Sequence, residues 1–278
     1  MPQLPTYTAT RYVQPLREGG SLPAIVDTDT GGMFVVKFRG AGQGPRALVA
    51  ELVVGLIAQR IGLPVPALAL IDVPPQFGRS EPDPEIQDLL KASHGINVGL
   101  QYLDGAFNFD ATAAGDLVSD DFAARLVWLD ALVTNPDRTH KNANLMVWDG
   151  QPWLIDHGAA LYAHHDWPRV DEARTRTPFP LIKTHLMLAR AEQVQALDAE
   201  LAARLDDDAL TEILAAVPDE LLAGPQSAGG FETADEARER YRTYLRDRLA
   251  PPRAWVAAAV DARAAELATA PRSLSARR

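Results

Sequence analysis

Asp137, Asn142 and Asp156 are oxygen-bearing side chains at spacings that suit chemistry. The first two fall in Asn135-Pro-Asp-Arg-Thr-His-Lys-Asn-Ala-Asn144. Leu145 to Trp148 then reads as a short apolar strand. Asp149-Gly150 is a turn signal, lengthened here by Gln151-Pro152, and Trp153 to Ile155 is the return strand. Such a hairpin brings the loop before its first strand and the residue after its second to one end. There Asp137 can accept a proton, while Asn142 and Asp156 can hold Mg²⁺ through hard oxygens. That combination suits metal-assisted phosphoryl transfer. Asn-Pro and Asp-Gly also occur in turns for local reasons, so the Asp-x4-Asn spacing carries little by itself. The order acid, amide, hairpin, acid gives it weight.

Phosphoryl transfer also needs a cation on the phosphates, and Lys37 is placed to provide one. It breaks the β-prone run Met33-Phe-Val-Val-Lys-Phe38. Alternation puts Met33, Val35 and Lys37 on one face and Phe34, Val36 and Phe38 on the other. A lysine at a strand end commonly reaches out to water. The helix expected next, Arg46 to Ile61, favours another role. Glu51 is its lone charge between Arg46 and the last turn, among Ala47, Val54, Gly55 and Ala58. An acid on a close-packing apolar stripe needs a partner, because burying it unpaired is expensive. Lys37 is the natural one, and Val35 shares its face. Gly62 and Pro64 end the helix.

Composition sets the outer bounds. The chain has 278 residues, 47% hydrophobic and 23% charged, enough for one large or two small core-bearing units. Cysteine is absent, which excludes disulfides, thiolate metal sites and a thiolate nucleophile. No apolar run reaches about 18 residues, so no membrane span is expected. Met1-Pro-Gln-Leu-Pro-Thr lacks the basic and apolar regions of a signal peptide, and a cytoplasmic protein is expected. A formal net charge of −10 argues against a broad nucleic-acid surface.

Strands are expected at Tyr12 to Leu16, Ala24 to Val26, Met33 to Phe38 and Ala67 to Val73. Another runs from Leu100 to Leu103 after Ser93-His-Gly-Ile-Asn-Val-Gly99. The first two flank a glycine turn. Backbone N–H groups at Gly19, Gly20 and Ser21 can approach a phosphate there, although taken alone the stretch reads better as an ordinary hairpin loop. Backbone groups of Gln101, Tyr102 and Leu103 can meet an adenine edge, or simply form an edge strand. Pro74 to Pro84 is a surface loop and Glu85 to Ala92 a short helix. Ser119 caps a helix whose stripe is Phe122, Leu126, Leu129 and Val133. Ala159 to Pro180 reads as a polar loop. Helices follow at Thr184 to Leu205, Asp208 to Leu222, Thr233 to Leu249 and Pro251 to Leu267.

Phe34-Val-Val-Lys37, Glu51 with Ile61-Gly-Leu-Pro-Val-Pro66, Asn135-Pro-Asp-Arg138 with Asn142, and Leu154-Ile-Asp-His157 together resemble the HipA-like kinases. The chain is most similar to the short, stand-alone bacterial members. The likeness covers about residues 10–270, with Asp137 to Asp156 its most specific part. It implies an α+β, two-lobed protein-kinase-like fold. The antiparallel β-lobe would span 1–103 and the mostly helical lobe 104–278. It further implies that Lys37 binds nucleotide phosphates and Glu51 orients it. Asp137 would be the catalytic base, and Asn142 and Asp156 would bind Mg²⁺ or Mn²⁺. ATP is then the nucleotide. The acceptor is a hydroxyl of a protein or a small molecule, and a nucleotide-binding pseudokinase is the third reading. His140 is one position away from the family's usual histidine and receives no role.

Overall fold

The computed structural model describes residues 3–16, 22–30, 32–79, 81–111, 115–223 and 230–269. The glycine turn with Gly19, Gly20 and Ser21 lies outside the described residues. Five strands form a closed barrel in the order β1-β2-β3-β5-β4. They are β1 (Thr6–Pro15), β2 (Ala24–Thr28), β3 (Met33–Lys37), β4 (Leu68–Val73) and β5 (Gly95–Gln101). All neighbours are antiparallel except β1 and β4. Phe34, Val36 and Phe38 point into a core shared with Val26, Ala69, Ile71 and Val73. The alternation read from the sequence therefore holds, and Lys37 on the other face is 7% exposed rather than solvated.

Two strands start well before the sequence suggested. β1 starts six residues before Tyr12, at Thr6, because Ala9 is its single buried residue and no apolar run marks it. β5 starts at Gly95, ahead of Leu100, with Gly99 inside it. A Cβ on Gly99 would stand 2.7 Å from Ile71 Cγ1, so this glycine admits a close neighbour instead of breaking the strand.

Helix α1 (Gly44–Arg60) is buried without interruption from Ala47 to Ala58. A helix apolar on all sides belongs inside a protein, and α1 joins the large cluster that fills the helical part. α2 (Pro84–Ala92) closes one side of the barrel through Ile86 and Leu90.

The helical part begins beyond Gln101. α3 (Asp120–Leu132) starts at Ser119, whose side chain accepts the Phe122 N–H. A three-stranded sheet joins β6 (Phe107–Asn108), which precedes α3, to β7 (Leu145–Trp148) and β8 (Gln151–Leu154). The hairpin turn is tighter than expected. Trp148 pairs directly with Gln151, and Asp149 and Gly150 form the whole turn with φ of +48° and +69°. Positive φ at both positions matches the strands' twist.

The segment 159–180 is not the polar loop that was expected. Leu161, His164, Trp167, Val170 and Phe179 are all buried, and short 3₁₀ turns plus α4 (Glu172–Thr175) shape it. The expected helix from Thr184 is also corrected. 3₁₀ turns occupy Pro180–Thr184 and Leu188–Arg190, and α5 begins only at Val194 and runs to Ala203. The Leu186 N–H donates to the Arg138 carbonyl, and His185 Nδ1 accepts the Met187 N–H, which takes that stretch out of helical bonding. α6 (Asp207–Ala215) and α7 (Asp219–Leu222) divide at Pro218. α8 (Ala234–Leu249) carries a capping box between Thr233 and Glu236, and α9 (Ala254–Thr269) sets Trp255 edge-on against Trp128 of α3. Among the described residues, no helix is long and apolar enough to cross a membrane.

Candidate active site

Lys37, at the end of β3, donates from Nζ to Glu51 Oε2 at 2.7 Å and to Asp156 Oδ1 at 2.6 Å. Glu51 lies fully buried in the middle of α1. The same Oε2 accepts the backbone N–H of His157 at 2.7 Å. One carboxylate oxygen thus fixes both the barrel's lysine and the residue after Asp156. Burial works against the charge of Lys37, but Glu51 and Asp156 outweigh it and its pKa is raised. Burial also opposes the charge of Asp156. Lys37, helped by the Gly158 N–H, holds that carboxyl below its ordinary range. Asp156 has φ of +54°, in the left-handed region that Asp enters more readily than most residues.

Asp137 sits in a loop built on a buried ionic cluster. Asp130, inside α3, accepts from Arg138 Nε at 2.7 Å, from Asn135 Nδ2 at 3.0 Å and from His185 Nε2 at 2.9 Å. Burial would raise the Asp130 pKa, yet Arg138 and His185 hold it well below the carboxylate range. Asn135 Oδ1 in turn accepts the Asp137 N–H at 3.1 Å. Arg138 reaches on to the Asn144 carbonyl and to His157 Nδ1. Burial pushes the His157 pKa down to about 4, so its imidazole is neutral and Nδ1 can accept.

The stretch Thr139 to Asn142 is a two-residue turn. Its ends exchange backbone bonds of 2.8 and 3.1 Å, and His140 and Lys141 stand exposed at its tip. Asn142 Nδ2 donates to Asp137 Oδ2 at 2.9 Å, and Asn144 Nδ2 donates to the same oxygen at 3.1 Å. The Asn144 carbonyl accepts the Ile155 N–H at 3.1 Å, one residue before Asp156. The five residues singled out for chemistry, Lys37, Glu51, Asp137, Asn142 and Asp156, therefore belong to two bonded groups. Asn144 and Ile155 join them.

The nucleotide-edge residues fare less evenly. Val35 is half-buried between Ile25 and Leu100 of the neighbouring strands. The N–H groups of Gln101 and Tyr102 are already engaged by the carbonyls of Ala67 and Met33, and the Leu103 carbonyl accepts from Ala106. The two N–H groups are thus engaged within the fold, while the Leu103 carbonyl keeps a second lone pair. Asn144, His157 and His185 were missed from the sequence. Asp130 had a signal of the kind that revealed Glu51, an acid inside an apolar helix.

Asp156 and Asn142 suit a hard cation by donor type, since one contributes a carboxylate and the other an amide oxygen. Among the described residues, no group of three or more His, Cys, Asp or Glu is arranged to hold a metal ion. Mg²⁺ commonly takes one or two protein oxygens and completes its shell with phosphate and water, so the sparse set fits it.

This barrel-plus-helices architecture is of the kinase class. The chain is similar in structure to CtkA, a proinflammatory kinase of Helicobacter pylori, with a TM-score of 0.52 and 13% identity. The match covers 95% of this chain and 99% of that one, and at such low identity it speaks to the fold. Residues 10–227 match the family model of the HipA-like kinases, and the chain belongs to that family. No curated protein matches it in sequence.

Proposed function

We propose that the protein is a Mg-ATP-dependent phosphotransferase that moves the γ-phosphoryl group of ATP to a hydroxyl, with a protein Ser or Thr as acceptor. The observation that supports this most is the Lys37 ammonium shared by Glu51 and Asp156, with Asp137 bonded to the same hairpin through Asn144. On this reading residues 1–103 cover the nucleotide and residues 104–278 carry the catalytic loop. Lys37, steadied by Glu51, holds the phosphates. Asp137 orients the acceptor hydroxyl and takes its proton as the acceptor oxygen bonds to the γ-phosphorus. The bond from that phosphorus to the bridging oxygen breaks, and ADP leaves. Asp156 and Asn142 would hold Mg²⁺, which when bound would neutralise charge on the phosphates. Positioning and electrostatics carry the rate, because the metaphosphate-like transition state asks little covalent chemistry of the protein.

The test is labelled ATP with a lysate split into protein and metabolite fractions. Label on Ser or Thr in the protein fraction is the expected result. Label only in the metabolite fraction moves the acceptor to a small alcohol, and label in neither sinks the transfer reading. The metal is checked separately. Calorimetry is expected to show ATP binding that weakens at least tenfold in EDTA, on the order of 1.4 kcal/mol. Equal affinity would remove Asn142 and Asp156 from metal binding.

A further inference from the structure

We propose that Asn144 is a positioning residue. It fixes the rotation of the Asp137 carboxylate and ties it to the strand end that carries Asp156. This rests on the phosphotransfer reading of Asp137. Asn144 is 8% exposed and has φ of +46°. Its Nδ2 bonds Asp137 Oδ2 at 3.1 Å and approaches the Asp137 carbonyl at 3.4 Å. Its own carbonyl accepts from Arg138 and from Ile155. One residue therefore meets the proposed base, the buried arginine beneath it and the chain entering Asp156.

Its residue type answers two demands. The left-handed backbone favours Gly, Asn or Asp. The carboxylate oxygen needs a donor, which Gly lacks and an ionised Asp cannot be. Asn142 also bonds Asp137 Oδ2, but it is exposed, and its amide oxygen is the group assigned to the metal. The Asn144 amide makes hydrogen bonds only to Asp137 among the described residues. With two amides on Oδ2, Oδ1 is the oxygen left for an acceptor hydroxyl.

Asn144→Gly isolates the effect, since glycine keeps the left-handed turn and the carbonyl while the amide goes. Turnover of ATP at saturating Mg-ATP is expected to fall about tenfold, with KM for ATP within about twofold of wild type. In an Asp137→Asn background the same change is expected to cost nothing further, because the amide acts through that carboxylate. A crystal structure of Asn144→Gly is expected to show the Asp137 carboxylate turned from its wild-type rotamer. Unchanged kcat, a loss that multiplies on top of Asp137→Asn, or an unmoved carboxylate overturns the assignment. Wild type without ATP turnover, or Asp137→Asn at full rate, sinks the phosphotransfer reading instead and takes this one with it.

Discussion

Asp137 and Asp156 are both acids at the same end of one hairpin, yet their surroundings differ. Asp156 faces an ammonium, whereas Asp137 faces two amides. Amide replacement keeps shape and removes charge, so it separates the two roles. Asp137→Asn is expected to lower turnover by roughly 10² to 10⁴ with Mg-ATP binding nearly intact. Asp156→Asn is expected to weaken metal-dependent binding itself. Thermal shift with ATP and Mg²⁺, run beside a turnover assay, decides it, and the opposite pattern reverses the assignments. Lys37 and Glu51 form a second pair with a sharp expectation. Removing Lys37 leaves the fully buried Glu51 without its cation, a loss typically of about 3–5 kcal/mol. Lys37→Met should therefore melt well below the double variant Lys37→Met/Glu51→Gln. Turnover losses in Lys37→Ala and Glu51→Ala should overlap rather than multiply. Simple additivity in both measurements would mean the two side chains act independently. Lys37 and Glu51 were legible because each is a charge where the pattern calls for an apolar side chain, and Asp137 and Asp156 because of their order around the hairpin. Asn144 and His185 were not, because their roles arise from contacts across the fold that spacing does not carry.

At the level of elements, the loop that carries Asp137 depends on how α3 ends. Arg248 of α8 is buried beneath that end. It donates to the carbonyls of Leu132 at 2.6 Å, Ala131 at 2.8 Å and Thr175 at 2.7 Å. A helix leaves its last carbonyls unpaired, and here a guanidinium from another helix satisfies them. Arg248→Met keeps the length and strands those carbonyls, at a cost of roughly 2–4 kcal/mol. Chemical denaturation measures this, and a loss below about 1 kcal/mol would show that water replaces the arginine easily. Elements whose own sequence states their geometry were readable: α3 from Ser119, the hairpin from Asp149-Gly150, α8 from Thr233 and Glu236. β1 was half-hidden because it buries one residue. The start of β5 was hidden because Gly99 looks like a breaker and acts as a spacer. The segment 184–193 was misread as helix because bonds from His185 and Leu186 to their surroundings override local preference.

For the whole molecule, acid is the condition that reaches furthest. His157 and His164 are fully buried, and burial lowers their pKa values to about 4 and about 3. An unfolded chain takes up protons at both histidines near pH 6.5, while the folded one does so only near 4 and below. Stability is therefore complete above pH 6.5 and is lost as pH falls toward 4. His157 accounts for about 3 kcal/mol of that loss. Asp130 and Asp156, both held below their ordinary 3.8, add to the loss from about pH 5 downward, where the unfolded chain takes up protons that the folded one does not; above that the buried histidines act first. Urea midpoints taken from neutral pH down to about 4 should decline steadily. A flat profile would mean that the imidazoles are charged or hydrated in the folded state.

The doubly bonded ammonium of Lys37 bears on the order in which ligands arrive. One cation is divided between Glu51 and Asp156. A bare triphosphate entering there competes with two carboxylates for a single partner and meets their repulsion as it does so. On the proposed roles, a Lys37 that turned to the phosphates would leave Asp156 without its counter-charge as more negative charge arrived beside it. A nucleotide escorted by a divalent ion avoids that conflict, since the escort repays Asp156 as the lysine leaves. On the roles proposed above, the Lys37–Asp156 salt link acts as a gatekeeper. Free ATP in excess of Mg²⁺ should slow turnover rather than support it.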